Sequence, residues 1–159
     1  MTTFLKNRDM KFSFHLLLAC IALTACGESG KTTADYRIVP CPGEIAPGDG
    51  GDFELDARTR IVCTGDNDGM RANAEFLAGY VESVVGSAPE ITGPDGLCDD
   101  GRAVILRADA PGKGGEAYEI EVSENRITVS GESDAGVFYG IQTLRKAMGA
   151  AKAAKVLFP

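Results

Sequence analysis

Residues 131–148, GESDAGVFYGIQTLRKAM, carry the strongest pattern in the chain. Val137, Ile141, Leu144 and Met148 recur at i, i+4, i+7 and i+11, which lines up one buried stripe of an α-helix. Ser133 or Asp134 can cap its start, because a short side-chain oxygen accepts from the unpaired N–H groups of the first turn. Gly136 and Gly140 each cost about 1 kcal/mol in a helix relative to Ala. Their i, i+4 spacing clears one face for close approach by another backbone. The expectation is that this backbone belongs to a neighbouring domain. Phe138 and Tyr139 are adjacent and cannot both face one partner squarely. Either one meets the sheet and the other the neighbour, or both are partly buried in this domain.

Just before this helix, Tyr118, Ile120 and Val122 alternate with Glu119, Glu121 and Ser123. Ile127 and Val129 answer them across a turn at Glu124 and Asn125, a hairpin with one wet and one dry face. Arg102 to Arg107 encloses a run of Ala, Val, Ile and Leu that suits a central strand buried on both sides. Further back, Ala74, Leu77, Val81 and Val84 mark a helix capped by Asp66 or Asp68 and closed by Gly86. Short strands are expected at 36–39, 53–56, 60–64 and 90–92. This order predicts an α+β domain, a mostly antiparallel sheet with two helices packed on one face.

The closing helix resembles the end of the N-terminal, non-catalytic domain of bacterial β-N-acetylhexosaminidases of glycoside hydrolase family 20. There a GxFYGxQTLxQL-like helix hands the chain to the catalytic barrel. Gly136, Phe138, Tyr139, Gly140, Gln142, Thr143 and Leu144 match that pattern, and Arg145, Lys146 and Ala147 replace its usual ending. A weaker likeness runs from Tyr36 to Pro159. The resemblance implies the zincin-like fold of that domain over 36–149, a (β/α)8 catalytic barrel as its partner, and interdomain packing by Gly136, Phe138, Tyr139, Gly140 and Gln142. It implies no cofactor and no metal. It also implies no catalytic residue in this chain, because the family's neighbouring Asp–Glu pair lies in the barrel and nothing here matches it. The parent would remove terminal N-acetylglucosamine or N-acetylgalactosamine, and this chain would meet glycan only through it. Similar domains precede the barrels of other glycosidases, so the parent's substrate is less defined than its architecture.

Two ends of the chain read differently from the middle. Lys6, Arg8 and Lys11 precede an apolar run from Phe12 to Leu23, the arrangement of an export signal. Leu23, Thr24, Ala25 and Cys26 then resemble a bacterial lipobox. Residues 1–25 are expected to be a lipoprotein signal peptide, Cys26 the acylated residue and 26–35 a polar tether. Acyl chains there would anchor the protein to a membrane of the bacterial cell envelope, at the outer membrane or its periplasmic face. At the other end, residues 149–155 are low in complexity and 156–159 stop on apolar residues and a proline. Residues 150–159 are expected to start a linker to an absent barrel, in a fragment of a longer enzyme; a misplaced stop in the gene record explains this equally. A stand-alone lipid-anchored module that binds glycan or protein is the alternative.

Composition narrows the chemistry. The chain has a formal net charge of −7, and phosphate binding needs a basic face, so nucleic acid is not an expected partner. His15 is the only histidine and lies in the signal segment. Without it the chain has no Ser-His-Asp or Cys-His catalysis and no His-ligated zinc. Cys41, Cys63 and Cys98 allow at most one disulfide, and buried structural thiols are the simpler reading.

Three motifs invite a functional reading and lose it on inspection. Gly27 to Thr32 looks like the end of a phosphate-binding loop, yet Ala25 stands where its first glycine belongs and no strand precedes it. Asp66, Asp68, Gly69 and Glu75 fill part of a calcium loop, but Thr64 replaces its first Asp. Asp99 and Asp100, and Glu119, Glu121 and Glu124, are the dense carboxylates, all placed in turns or on the wet face of a hairpin. Tyr36, Tyr80, Tyr118 and Tyr139 are candidates for a sugar platform, in a chain that has no Trp.

Overall fold

The two apolar stripes become the inner faces of two helices, α1 over Asp68–Val85 and α2 over Asp134–Met148. The computed structural model describes residues 30–39, 42–46, 48, 50–97, 101–110, 114–150 and 152–159. The eight stripe residues are each at most 2% exposed. Asn67, rather than Asp66 or Asp68, caps α1, its side chain accepting from the Met70 N–H at 2.8 Å. Asp68 falls in the first turn, where its charge complements the helix dipole. Ser133 caps α2. Gly86 ends α1 at φ +85°, a left-handed conformation that glycine adopts without a Cβ penalty.

The helices run side by side in the same direction. At their N-terminal ends Asn67 Nδ2 donates to Asp134 Oδ1 at 3.3 Å, and Asn73 Nδ2 donates to the Asp134 carbonyl at 2.8 Å. Near their C-terminal ends the Tyr80 hydroxyl donates to the Gly149 carbonyl at 2.7 Å.

Both helices cover one face of a five-stranded sheet. Its order is β4 (Ile91–Thr92), β3 (Arg60–Cys63), β5 (Ala103–Arg107), β7 (Arg126–Gly131), β6 (Tyr118–Ser123). Ile61, Cys63, Val104, Leu106, Ile127 and Val129 meet the helices, while Val62, Ala103 and Ile105 form a smaller cluster between them in sequence, on the opposite face. The α+β class and the one-sided helices are as expected. The sheet itself is mixed and not mostly antiparallel: β3–β4, β3–β5 and β5–β7 are parallel, and only β6–β7 is antiparallel. The connections explain this. A tight turn reverses the chain between β6 and β7, whereas α1 carries it back along the sheet so that β4 re-enters in the direction of β3. The unbroken apolar run of β5 is the composition of such a parallel interior.

A second sheet closes the core near the C-terminal ends of the helices. It comprises β1 (Lys31–Thr33), β8 (Lys155–Phe158) and β2 (Phe53–Leu55), in the order β1–β8–β2. This corrects two expected boundaries. Lys31–Thr33 lies inside the expected tether 26–35, and Lys155–Phe158 inside the expected linker 150–159. Val156 and Phe158 alternate inward, are fully buried, and stand in register with Leu55 and Phe53. The Phe53 and Phe158 rings meet edge-on at 6.4 Å. Residues 36–39, by contrast, are not a strand. Here the Asp35 N–H donates to the Ala147 carbonyl, the Arg37 N–H to the Asp35 side chain and the Lys146 amine to the Val39 carbonyl, in place of a strand ladder.

Candidate interdomain surface

The inner face of α2 shows what its glycines are for. A Cβ on Gly140 would lie 2.5 Å from Val129 Cγ1 and 3.3 Å from the Tyr118 ring. One on Gly136 would drive into the Ala117 carbonyl oxygen. Gly131, the last residue of β7, abuts Gly136 backbone to backbone. The close approach anticipated from their spacing is real, but the partner is this domain's own β6–β7 hairpin. Gly136 and Gly140 are therefore buried inside the domain and unavailable for packing against another.

The outer face is different. Phe138 and Tyr139 both stay out of the buried core. Phe138 is half-buried against Phe76 of α1 at 5.6 Å between ring centroids, and against Tyr139 at 6.0 Å. Phe76 is 39% exposed and Tyr139 42%. Gln142, one turn beyond Phe138, is half-buried. Arg145 follows, its guanidinium 5.8 Å from the Phe76 ring centre and 5.5 Å from that of Tyr80. Of the four tyrosines, Tyr36 bonds the Pro159 carbonyl, Tyr80 the Gly149 carbonyl and Tyr118 the Thr143 hydroxyl. The Tyr139 hydroxyl has no such partner among the described residues, so three of the four are structural braces.

Phe76, Tyr80 and Arg145 were not singled out from the sequence as members of this surface. A signal for it exists. On α1, Ala72, Phe76, Gly79 and Ser83 recur at i, i+4, i+7 and i+11, are exposed, and carry no charge. The charged residues Asp68, Arg71, Glu75 and Glu82 run along the neighbouring strip. An uncharged exposed strip with an aromatic in it is unusual for a helix face left to water.

The remaining candidates are solvated or braced. Glu119, Glu121 and Glu124 are exposed, and Asp66 and Asp68 lie 3.8 and 3.6 Å from Arg71. Lys31 and Thr32 of the loop-like motif are in β1. Asp99, Asp100, Cys26, Cys41 and Cys98 lie outside the described residues, and Cys63 is buried and unpaired. No cluster of three metal-ligating side chains occurs among the described residues. The shifted carboxylates among them all move downward. A hydrogen bond from Arg37 holds Asp35 at about 2, and Arg107 likewise holds Asp109 below the usual carboxylate range. A glycosidase acid needs the opposite shift. On the uncovered sheet face an open groove of about 390 Å³ lies over Ile105, between Leu97, Arg107 and Arg126.

The family model for glycosyl hydrolase family 20, domain 2, matches residues 35–157. The chain belongs to that family. This is also the family that the closing helix resembles. Among solved structures, the GH20 β-N-acetylhexosaminidase of Streptomyces coelicolor A3(2) is 24% identical with a TM-score of 0.61, over 72% of this chain and 22% of that one. The Streptomyces plicatus N-acetyl-β-hexosaminidase, solved with Thio-NAglucal, is 23% identical with a TM-score of 0.57, over 74% of this chain and 23% of that one. The exo β-N-acetylglucosaminidase of Vibrio harveyi, solved with N-acetylglucosamine, is 17% identical with a TM-score of 0.57, over 78% of this chain and 18% of that one. These likenesses are of fold. The chain spans about a fifth of the length of the hexosaminidases it matches. No curated protein matches it.

Proposed function

We propose that the chain is the non-catalytic leading domain of a longer family 20 hydrolase, whose catalytic barrel removes terminal N-acetylhexosamine from glycans. The observation that carries this reading is the match over residues 35–157 to a domain of that family, in a chain that covers only about a fifth of each similar hexosaminidase. The exposed carboxylates and the downward shifts of the perturbed ones support a non-catalytic role. The domain's task is mechanical: it presents the outer face of α1 and α2, with Phe76, Phe138, Tyr139 and Gln142, for the barrel to cover. The N-terminal segment carries the export signal, and acylation of Cys26 tethers the enzyme to a membrane of the cell envelope.

Reading the gene past the Pro159 codon tests the core of this proposal. The expected result is an open frame encoding a barrel. The full-length product then hydrolyses a chromogenic N-acetylglucosaminide, and the 159-residue chain does not. A frame without a barrel, or activity in the short chain, refutes it. For the anchor, labelled palmitate is incorporated by the exported protein and is lost in a Cys26→Ser variant.

A further inference from the structure

We propose that Arg145 is the ionic anchor of the outer helix face, donating to a carboxylate on the catalytic domain that covers it. The inference rests on the reading of this chain as the leading domain of a family 20 hydrolase, and it names the chemistry of the partner surface.

Among the described residues, Arg145 stands apart from the other arginines. Arg37, Arg58, Arg60, Arg71, Arg102 and Arg107 each have a carboxylate within 4 Å. Arg126 extends into water. Arg145 is half-buried, and two aromatic rings hold its guanidinium on the outer side of the helix pair. Its N–H donors meet no acceptor among the described residues. Phe76 and Tyr80 flank the guanidinium before any partner arrives, which lowers the ordering cost of a contact.

The surroundings say what kind of surface approaches. Phe76 supplies exposed aromatic area beside the guanidinium, and Phe138 links it to the exposed ring of Tyr139. On α1 the adjoining strip carries no charge, and Gly79 within it has open space where a Cβ would be. Among the described residues nothing uses that missing Cβ, whereas a covering surface can. A guanidinium set against aromatic rings, on a chain of net charge −7, selects for one opposed acidic group and not for general attraction. The occupant is the catalytic domain of the same polypeptide, since the similar hexosaminidases are single chains about five times longer than the matched region.

The experiment uses the full-length hydrolase encoded by the extended frame. An Arg145→Lys variant keeps the charge and adds an amine that a zero-length carbodiimide joins to any carboxylate in contact. Mass spectrometry of the digest is expected to show a link from position 145 to a barrel peptide within one chain, absent from the wild type. Arg145→Gln is expected to lower the thermal midpoint of the full-length enzyme, and Arg145→Lys to restore part of it. A link between two copies of the chain overturns the proposal in favour of self-association. A barrel present with no position-145 link and an unchanged Arg145→Gln midpoint overturns it while leaving the domain reading intact. A frame that encodes no barrel overturns both.

Discussion

The two sheets serve one core and are built in opposite ways. In the five-stranded sheet, the six-residue strands β6 and β7 alternate, and a two-residue turn joins them. The three-stranded sheet gathers residues 31–33, 53–55 and 155–158. There β1 and β2 do not pair with each other; each pairs only with β8. One four-residue strand, about a hundred residues away from β2, thus holds the second sheet together. Alternation within a strand decides which side chains turn inward. Topology decides the partner, and a distant partner leaves little mark on local sequence.

The sharpest test of the comparison removes the central side chain of the small sheet. Phe158→Ala is expected to cost about 3–5 kcal/mol, the range for emptying a packed aromatic site. In urea unfolding it should rival Ile127→Ala in the large sheet, at about 2–5 kcal/mol. Both residues are fully buried in the same core. A near-silent Phe158→Ala beside a costly Ile127→Ala would make the small sheet an appendage, and the two sheets would not be one cooperative unit.

The next effect belongs to the large sheet. Gly136→Ala forces a methyl group against the Ala117 carbonyl, a backbone atom that cannot swing aside. Overpacking of this kind costs about 1–3 kcal/mol. A shift in denaturation midpoint at unchanged slope would report it. A neutral outcome would mean that α2 does not sit as tightly on the hairpin as Gly131 and Gly136 indicate.

These residues also show where the sequence could and could not be followed. Both helices, the β5 run and the β6–β7 hairpin were legible because period and turn chemistry are local. The Asn67 cap was missed by one position, since Asp66, Asn67 and Asp68 all offer a competent oxygen and only geometry chooses among them. Val156, Leu157 and Phe158 are apolar at every position and show no alternation, and the Ala- and Lys-rich stretch before them suggested a linker. Strand β1, made of Lys31, Thr32 and Thr33, has no apolar alternation to find. For the candidate surface, Phe138, Tyr139 and Gln142 were on the expected helix, while the glycines that prompted the docking idea turned out to face inward. Spacing locates a bare face; it does not say on which side of the helix the domain's own sheet lies.

A smaller effect, of opposite sign, separates the two kinds of glycine. Gly79→Ala places its methyl group where nothing lies within 4 Å. The isolated chain should gain up to about 1 kcal/mol from helix propensity alone. Thermal melting of Gly79→Ala and Gly136→Ala side by side gives the contrast. Destabilisation by Gly79→Ala would mean that α1 already packs that strip against something within this chain.

The smallest effect lies at the seam between the sheets. Arg102, just before β5, donates to Asp56 at 3.0 Å and contacts Glu54 of β2 at 3.4 Å. Lys155 of β8 donates to Glu54 at 3.0 Å. The Lys155 hydrogen bond holds the Glu54 carboxyl below its ordinary value. Burial pushes Asp56 upward, but hydrogen bonds from the Arg58 backbone and side chain outweigh it, and its net shift is also downward. Groups depressed in the folded state contribute stability that is complete above their unfolded pKa and is lost as pH falls through the folded one. Stability should therefore hold from neutrality down to about pH 5 and decline below about pH 4. Because these side chains keep some contact with water, the Glu54 share is expected to be under about 1 kcal/mol. Glu54→Gln should remove that share at neutral pH and flatten the acid limb, since an amide does not titrate. An acid limb equally steep in the variant would place the titrating groups elsewhere and leave apolar burial in the shared core as what binds the small sheet to the large one.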